Sequence, residues 1–244
     1  MLNHRNFQIK MNNIKIKILY EDNHLIAINK KSGDIVQADR TGDLPLTYYI
    51  KLYLKKKYNK PGNVFLGTIH RLDRPTSGVI IFAKTSKALS RMNKEFRENK
   101  VQKTYWALVE NRPPKKQGSL ENYLKKNQKL NKSYISKKED GKYAFLEYKT
   151  LNKLHKYYHL EILPQTGRHH QIRVQLSNIN CTIKGDLKYG AKRSNQDGSI
   201  SLLAYKIKFK HPISKDIIEI KTKIPNIKIW KDCLVGVNIN KNTC

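Results

Sequence analysis

Leu203, Tyr205, Ile207 and Phe209 alternate with Ala204, Lys206, Lys208 and Lys210, and after His211-Pro212 the alternation resumes. There Ile218, Ile220, Thr222 and Ile224 stand against Glu219, Lys221 and Lys223. A period of two puts the apolar set on one face of each strand and the largely basic set on the other. This predicts an antiparallel hairpin with one face on a core. Ile18-Leu19-Tyr20 and Leu25-Ile26-Ala27-Ile28, split by Glu21-Asp22-Asn23-His24, read as a second hairpin. Val79-Ile80-Ile81-Phe82-Ala83 is continuously apolar, as a buried strand is. Tyr105, Ala107 and Val109 alternate with Trp106 and Leu108 as a further strand.

Helical spacing is rarer. Apolar residues recur at 46, 49/50 and 53/54 from Leu46 to Tyr58, a stretch closed by Pro61-Gly62. Thr85 or Ser86 can cap a helix that carries Leu89, Met92 and Phe96 on one face. Strands outnumber helices, with no regular βαβ repeat and no glycine-rich phosphate loop. The fold class expected is α+β, a mainly antiparallel mixed sheet flanked by helices. Residues 1–13 read as a disordered or loosely packed lead-in, 14–225 as one domain and 226–244 as a C-terminal tail. Gly33 to Gly42 is loop. Residues 111–142, with Pro113-Pro114 and many lysines but little periodicity, read as a variable basic insertion with at most short elements.

The charge bounds the partners. Forty-nine basic residues against 19 acidic ones give a net charge of +30, which predicts attraction to polyanions. A membrane-surface protein is the alternative, but no apolar run approaches the roughly 20 residues of a span, and the first residues lack a signal-peptide apolar region. A cytoplasmic protein is expected. The three cysteines, Cys181, Cys233 and Cys244, suit neither a disulfide framework nor a zinc site. His155 and His159 are four apart, as metal ligands on a helix can be, but residues 157–163 alternate like a strand. No metal or cofactor is expected.

Three segments can carry chemistry. His70-Arg71-Leu72-Asp73-Arg74-Pro75-Thr76-Ser77-Gly78 sets one carboxylate among basic residues on a short loop that runs into the apolar strand. Most loop aspartates are solvated and paired with a neighbour such as Arg71 or Arg74. Here small hydrogen-bonding residues and a glycine can fix the loop, and the strand ties it to the core. In Lys103-Thr104-Tyr105-Trp106, Tyr105 is either one aromatic of a half-buried strand or a phenol able to stack on a base or move a proton. In Thr166-Gly167-Arg168-His169-His170-Gln171-Ile172-Arg173, Thr166 is a plausible helix cap. A helix start lined with Arg and His is either an anion site or a solvated basic face.

These segments, in this order, resemble the signatures of the RluA-type pseudouridine synthases. That family carries His-Arg-Leu-Asp with Thr-Ser-Gly, then Lys-x-Tyr, then Thr-Gly-Arg-x-His-Gln-Ile/Leu-Arg. Tyr20-Glu21-Asp22-Asn23-His24 with Asn29-Lys30-Lys31-Ser32-Gly33 is similar to its early Asp and Asn-Lys-Pro-x-Gly, and 183–190 looks like its late Ile-x-Gly-Asp-x-x-Tyr-Gly. Lys31 replaces the usual proline, which implies a less rigid early loop. The resemblance runs from about residue 16 to 225.

It implies a pseudouridine-synthase-like catalytic domain over 14–225 that isomerises a specific uridine in ribosomal or transfer RNA. Asp73, Tyr105 and Arg173 would be catalytic, with Arg173 paired to Asp73 and Tyr105 stacked on the uracil. Arg71 would fill the space left by the flipped base and Leu72 would line the pocket. His70, Lys30, Arg168 and His170 would bind RNA, the last three by positioning phosphates or the loop. RNA capture would rest on the domain's own basic surface, the protein acting as a monomer on RNA alone. The rival is a non-catalytic RNA-binding or ribosome-assembly factor, which composition alone favours but which needs no aspartate, tyrosine and arginine together.

Overall fold

The computed structural model describes residues 8–11, 14–39 and 41–234. Its elements run in chain order as β1 (Gln8–Met11), β2 (Ile14–Glu21), β3 (Leu25–Lys30), α1 (Leu46–Lys57), β4 (Gly67–Thr68) and β5 (Ser77–Ala83). Then come α2 (Ser86–Arg97), β6 (Gln102–Val109), β7 (Gln117–Asn127), β8 (Lys132–Ser136), β9 (Lys142–Lys153) and β10 (Tyr158–Pro164). The chain ends with α3 (Gln171–Asn178), a 3-10 turn (Leu187–Tyr189), β11 (Leu202–Lys210), β12 (Ile217–Lys221) and α4 (Lys228–Asp232). This is the α+β class that the strand-rich pattern predicts.

Two compact units share these elements. The first takes the chain up to Lys103 and Ala204–Thr222; the second takes Thr104–Leu203 and the residues from Lys223 on. No Pro- or Gly-rich linker stands at any of these boundaries, so composition does not reveal them.

In the first unit the strand order is β1-β2-β3-β5-β11-β12, with β4 also on β5. The β2–β3 and β11–β12 hairpins expected from the alternation are present, in registers that pair Ile18 with Ile28 and Phe209 with Ile218. β5 forms because its apolar run is buried almost throughout. Leu25, Ala27, Val79, Ile81, Ile207 and Phe209 make the core with Ala88 and Met92 of α2. Thr85 is the α2 cap, its side chain accepting from the Ala88 N–H.

In the second unit β6, β10, β9, β7 and β8 pair in that order, all antiparallel. The core is built on Ala107, Val109, Leu146, Leu160 and Ile162 with Ile172 and Leu176 of α3. Residues 111–142 are not irregular: they hold the 11-residue β7, all of β8 and the start of β9. Their period is faint because the inward positions of β7 are Gly118, Leu120, Asn122 and Leu124, only two of them apolar. The expected lead-in and tail lie partly outside the described residues. Within them, β1 pairs with β2, and Trp230 of α4 is buried. No helix of the described residues is long and apolar enough to cross a membrane.

Candidate active site

Asp73 stands on the loop between β4 and β5, in the first unit. The Thr76 N–H donates to the Asp73 carbonyl at 3.0 Å and closes a reverse turn there. Asp73 is half-buried and Arg71 exposed, while Leu72 is buried and anchors the loop. The Arg74 guanidinium reaches Asp43 at 2.6 Å. Gly78 enters β5 at φ +120°, and a Cβ there would overlap the backbone carbonyl of Ala204. Only glycine fits both conditions, which is the physical content of the Thr-Ser-Gly signature.

His70 is held as a strut. Its Nε2 accepts from the Ile81 N–H at 3.1 Å and its ring stacks on Phe96, centroids 5.0 Å apart. Burial, and then the Lys103 charge, push its pKa down to about 3, so the imidazole is neutral.

Of the two roles expected of Lys30, positioning phosphates or the loop, its surroundings suit the loop. At the end of β3 it is 1% exposed, and its Nζ donates to the carbonyls of Lys31 at 3.0 Å, Arg74 at 2.9 Å and Thr76 at 2.8 Å. Gly33 N–H adds a bond to the Arg74 carbonyl at 2.9 Å, and Ser32 Oγ donates to the Pro75 carbonyl at 3.2 Å. An ammonium group has three protons to donate, and all three are committed inside the protein. Burial draws its pKa down to about 8, opposed by Asp34 and Asp73 and aided by Arg74.

The Tyr20–His24 segment is structural. Asp22 Oδ1 accepts from the N–H groups of His24 at 2.7 Å and Leu25 at 2.6 Å, fixing the hairpin turn. Glu21 collects Tyr53 Oη, Lys57 and Tyr58 Oη, each at 2.7 Å, and Lys84 at 2.9 Å. Burial works to raise its pKa, but the four donors outweigh it and hold the carboxyl at about 2.

The second unit carries the tyrosine and the arginine. Tyr105 lies in β6 opposite Ile162 of β10, half-buried against the core of that unit. Arg173 sits in the first turn of α3, 4% exposed. Its Nε and Nη2 bond Asp186 Oδ2 and Oδ1 at 2.7 and 2.8 Å, and the Tyr189 ring faces its guanidinium at 5.0 Å. Within its own unit the carboxylate that Arg173 pairs with is thus Asp186, where the sequence reading named only Asp73. Asp186 and Tyr189 were visible as a motif at 183–190, but nothing in the string said what they would hold.

Thr166 is not the helix cap. His170 takes that place at φ 54° without a side-chain cap bond, while Thr166 Oγ1 donates to Gln171 Oε1 at 2.7 Å. Gln171 Oε1 also accepts the Arg168 N–H at 3.0 Å. His170 is buried, with Nδ1 3.0 Å from Tyr189 Oη. Burial first, then Arg173, lower its pKa to about 2, so it carries no charge for a phosphate. Arg168 is exposed and donates through Nε to the Tyr143 carbonyl at 2.8 Å. Among the described residues no group of three or more His, Cys, Asp or Glu side chains could hold a metal ion.

A family model described as RNA pseudouridylate synthase matches residues 24–178, which include the Asp73 loop, Tyr105 and Arg173. The chain belongs to the RNA pseudouridylate synthase family. Its relatives in that family include the ribosomal large subunit pseudouridine synthase D of Borreliella burgdorferi, 34% identical over 216 residues that cover 85% of this chain and 64% of the relative. The ribosomal large subunit pseudouridine synthase C of Rickettsia prowazekii is 36% identical over 177 residues, 72% of this chain and 56% of the relative. The chain therefore spans less than two thirds of either. The tRNA pseudouridine synthase C of Vibrio parahaemolyticus is 29% identical over 230 residues, 86% of this chain and 91% of the relative. The fold is shared with human RNA pseudouridylate synthase domain containing 4, with a TM-score of 0.73 at 23% identity over 90% of this chain and 92% of that one.

Proposed function

We propose that this protein is an RNA pseudouridine synthase that converts a uridine of ribosomal or transfer RNA to pseudouridine. The observation that carries the reading is the Asp73 turn, a carboxylate beside the exposed Arg71 on backbone tied down from inside by Lys30, in a chain of this family. Bare RNA binding has no use for a carboxylate fixed in that way.

The target base is flipped from its stack, at a cost of a few kcal/mol. Asp73 then initiates cleavage of the N1–C1′ bond. The freed uracil rotates and C5 bonds to C1′, C5 losing its proton and N1 gaining one, so the reaction is an isomerisation. Tyr105 stacks on the uracil and takes part in the proton transfer from C5. Arg173, oriented by Asp186, pairs with the nucleophilic carboxylate and orients it. Arg71 occupies the space the base has left. Arg168 contacts phosphate, and the net charge of +30 gathers the RNA. The protein works in the cytoplasm as a monomer.

The test is pseudouridine mapping of unmodified ribosomal and transfer RNA transcripts incubated with wild type or with Asp73→Asn. New pseudouridine at one or a few positions, made by wild type only, supports the reading and names the substrate. RNA binding with no new pseudouridine would sink it in favour of an assembly factor.

A further inference from the structure

The turn that carries Asp73 is short of hydrogen-bond donors. Pro75 has no N–H, and the Thr76 N–H is used by the Asp73 carbonyl. The carbonyls of Arg74, Pro75 and Thr76 must therefore find donors outside their own loop, since an unsatisfied buried carbonyl is costly. All three find them in the four residues Lys30–Gly33: Lys30 Nζ serves Arg74 and Thr76, Ser32 Oγ serves Pro75, and the Gly33 N–H serves Arg74 again. Lys30 stands at the end of β3, paired with Gly78 where the loop enters β5. Both ends of the arrangement are thus anchored in one sheet.

We propose that Lys30 is a positioning residue for Asp73: its internal ammonium latches the backbone that follows the aspartate and so sets where the carboxylate stands. The proposal rests on the catalytic reading of Asp73 for its kinetic consequences, but not for the latch itself. The latch is proton-dependent, because only the charged amine has a donor for each of its three carbonyls. The charged side chains around it are Asp34 on its own turn and Asp73 and Arg74 on the loop it holds. Its pKa of about 8 places loss of the third donor within reach of an ordinary buffer series. A phosphate-binding lysine would have kept its head in solvent and its pKa high.

The latch is tested on the full-length protein by hydrogen–deuterium exchange of the 70–78 segment, wild type against Lys30→Met. Exchange at the Thr76 amide should rise at least tenfold in the variant while β9 and β10 stay unchanged. Wild type should show the same loosening between pH 7 and 9.5 after correction for intrinsic exchange, and this arm needs no variant to fold. Unchanged protection in 70–78, in either arm, overturns the latch whether or not the protein is a synthase.

Kinetics test the link to Asp73 on a transcript that wild type modifies. A displacement of about 1 Å can cost roughly a hundredfold in rate, so Lys30→Met should lose that much kcat while its Kd for the same transcript stays within about twofold. Its rate should also lack the decline above pH 8 that the latch predicts for wild type. A tenfold weaker Kd with kcat intact would make Lys30 an RNA contact and refute the proposal. If wild type modifies no transcript, the catalytic reading fails and the exchange result alone decides the latch.

Discussion

Asp186→Ala is the substitution whose cost the structure fixes most narrowly. Arg173 and Asp186 are joined by two charge-assisted bonds of 2.7 and 2.8 Å, and their side chains are 5% and 1% exposed. An exposed pair of this kind would contribute about 0–1 kcal/mol. Here, removing the carboxylate takes two charge-assisted bonds from a buried guanidinium, and breaking a buried pair of this kind costs about 3–5 kcal/mol. At about 2–4 °C per kcal/mol for a chain of this size, the melting temperature should fall by roughly 6–20 °C. Thermal denaturation followed by circular dichroism measures this. The double variant Arg173→Met with Asp186→Ala should recover part of the loss, since both sides of the bonded pair are then removed together, and the cycle should show a coupling above about 1 kcal/mol. A single variant that melts within about 2 °C of wild type, or two effects that simply add, would refute the claim that this pair is buried and interdependent.

Two further outcomes are expected. Gly78→Ala should cost at least about 2 kcal/mol in urea denaturation, because φ +120° and the Ala204 carbonyl both exclude a Cβ. Glu21 titrates at about 2 in the folded protein against an ordinary 4.5, so its stabilisation is complete above pH 4.5 and is lost as the pH falls towards 2. Glu21→Gln should lower stability at pH 6 by about 2 kcal/mol, discounted for partial solvent screening. The same variant should flatten the acid limb between those two values, as urea midpoints at pH 6 and pH 3 would show.

How much of this was legible depended on whether the signal was local. The hairpin at 203–224, the β5 run and the Thr85 cap follow from periodicity and one side chain, and all three are present. The strands across 117–127 and 132–136 were hidden because their buried face is half polar and Gln175 of α3 serves it with hydrogen bonds to the Leu120 carbonyl and Asn122 Oδ1. The candidate site divides the same way. Motif order singles out Asp73, Tyr105 and Arg173 as candidates, but does not say which of the chain's basic residues are charged. Lys30, His70 and His170 read alike as RNA-binding residues in a string so rich in basic ones. Burial makes one a structural ammonium and leaves the other two neutral. The pairing of Arg173 with Asp186 needs the tertiary fold, which no local window contains.

Because the first unit is made of two separated stretches of chain, its completion is a matter of timing during synthesis. The Asp73 loop leaves the ribosome early, yet β11, the neighbour of β5, is translated only after all of residues 104–203. At about 5–20 residues per second the β5 edge waits several seconds for that partner, apolar and open to pairing with another chain. The β5 run, buried in the finished protein, is thus where a nascent or truncated chain is most exposed to aggregation. A chain cut after Lys103 would contain the aspartate but not the strand that closes the sheet beside it.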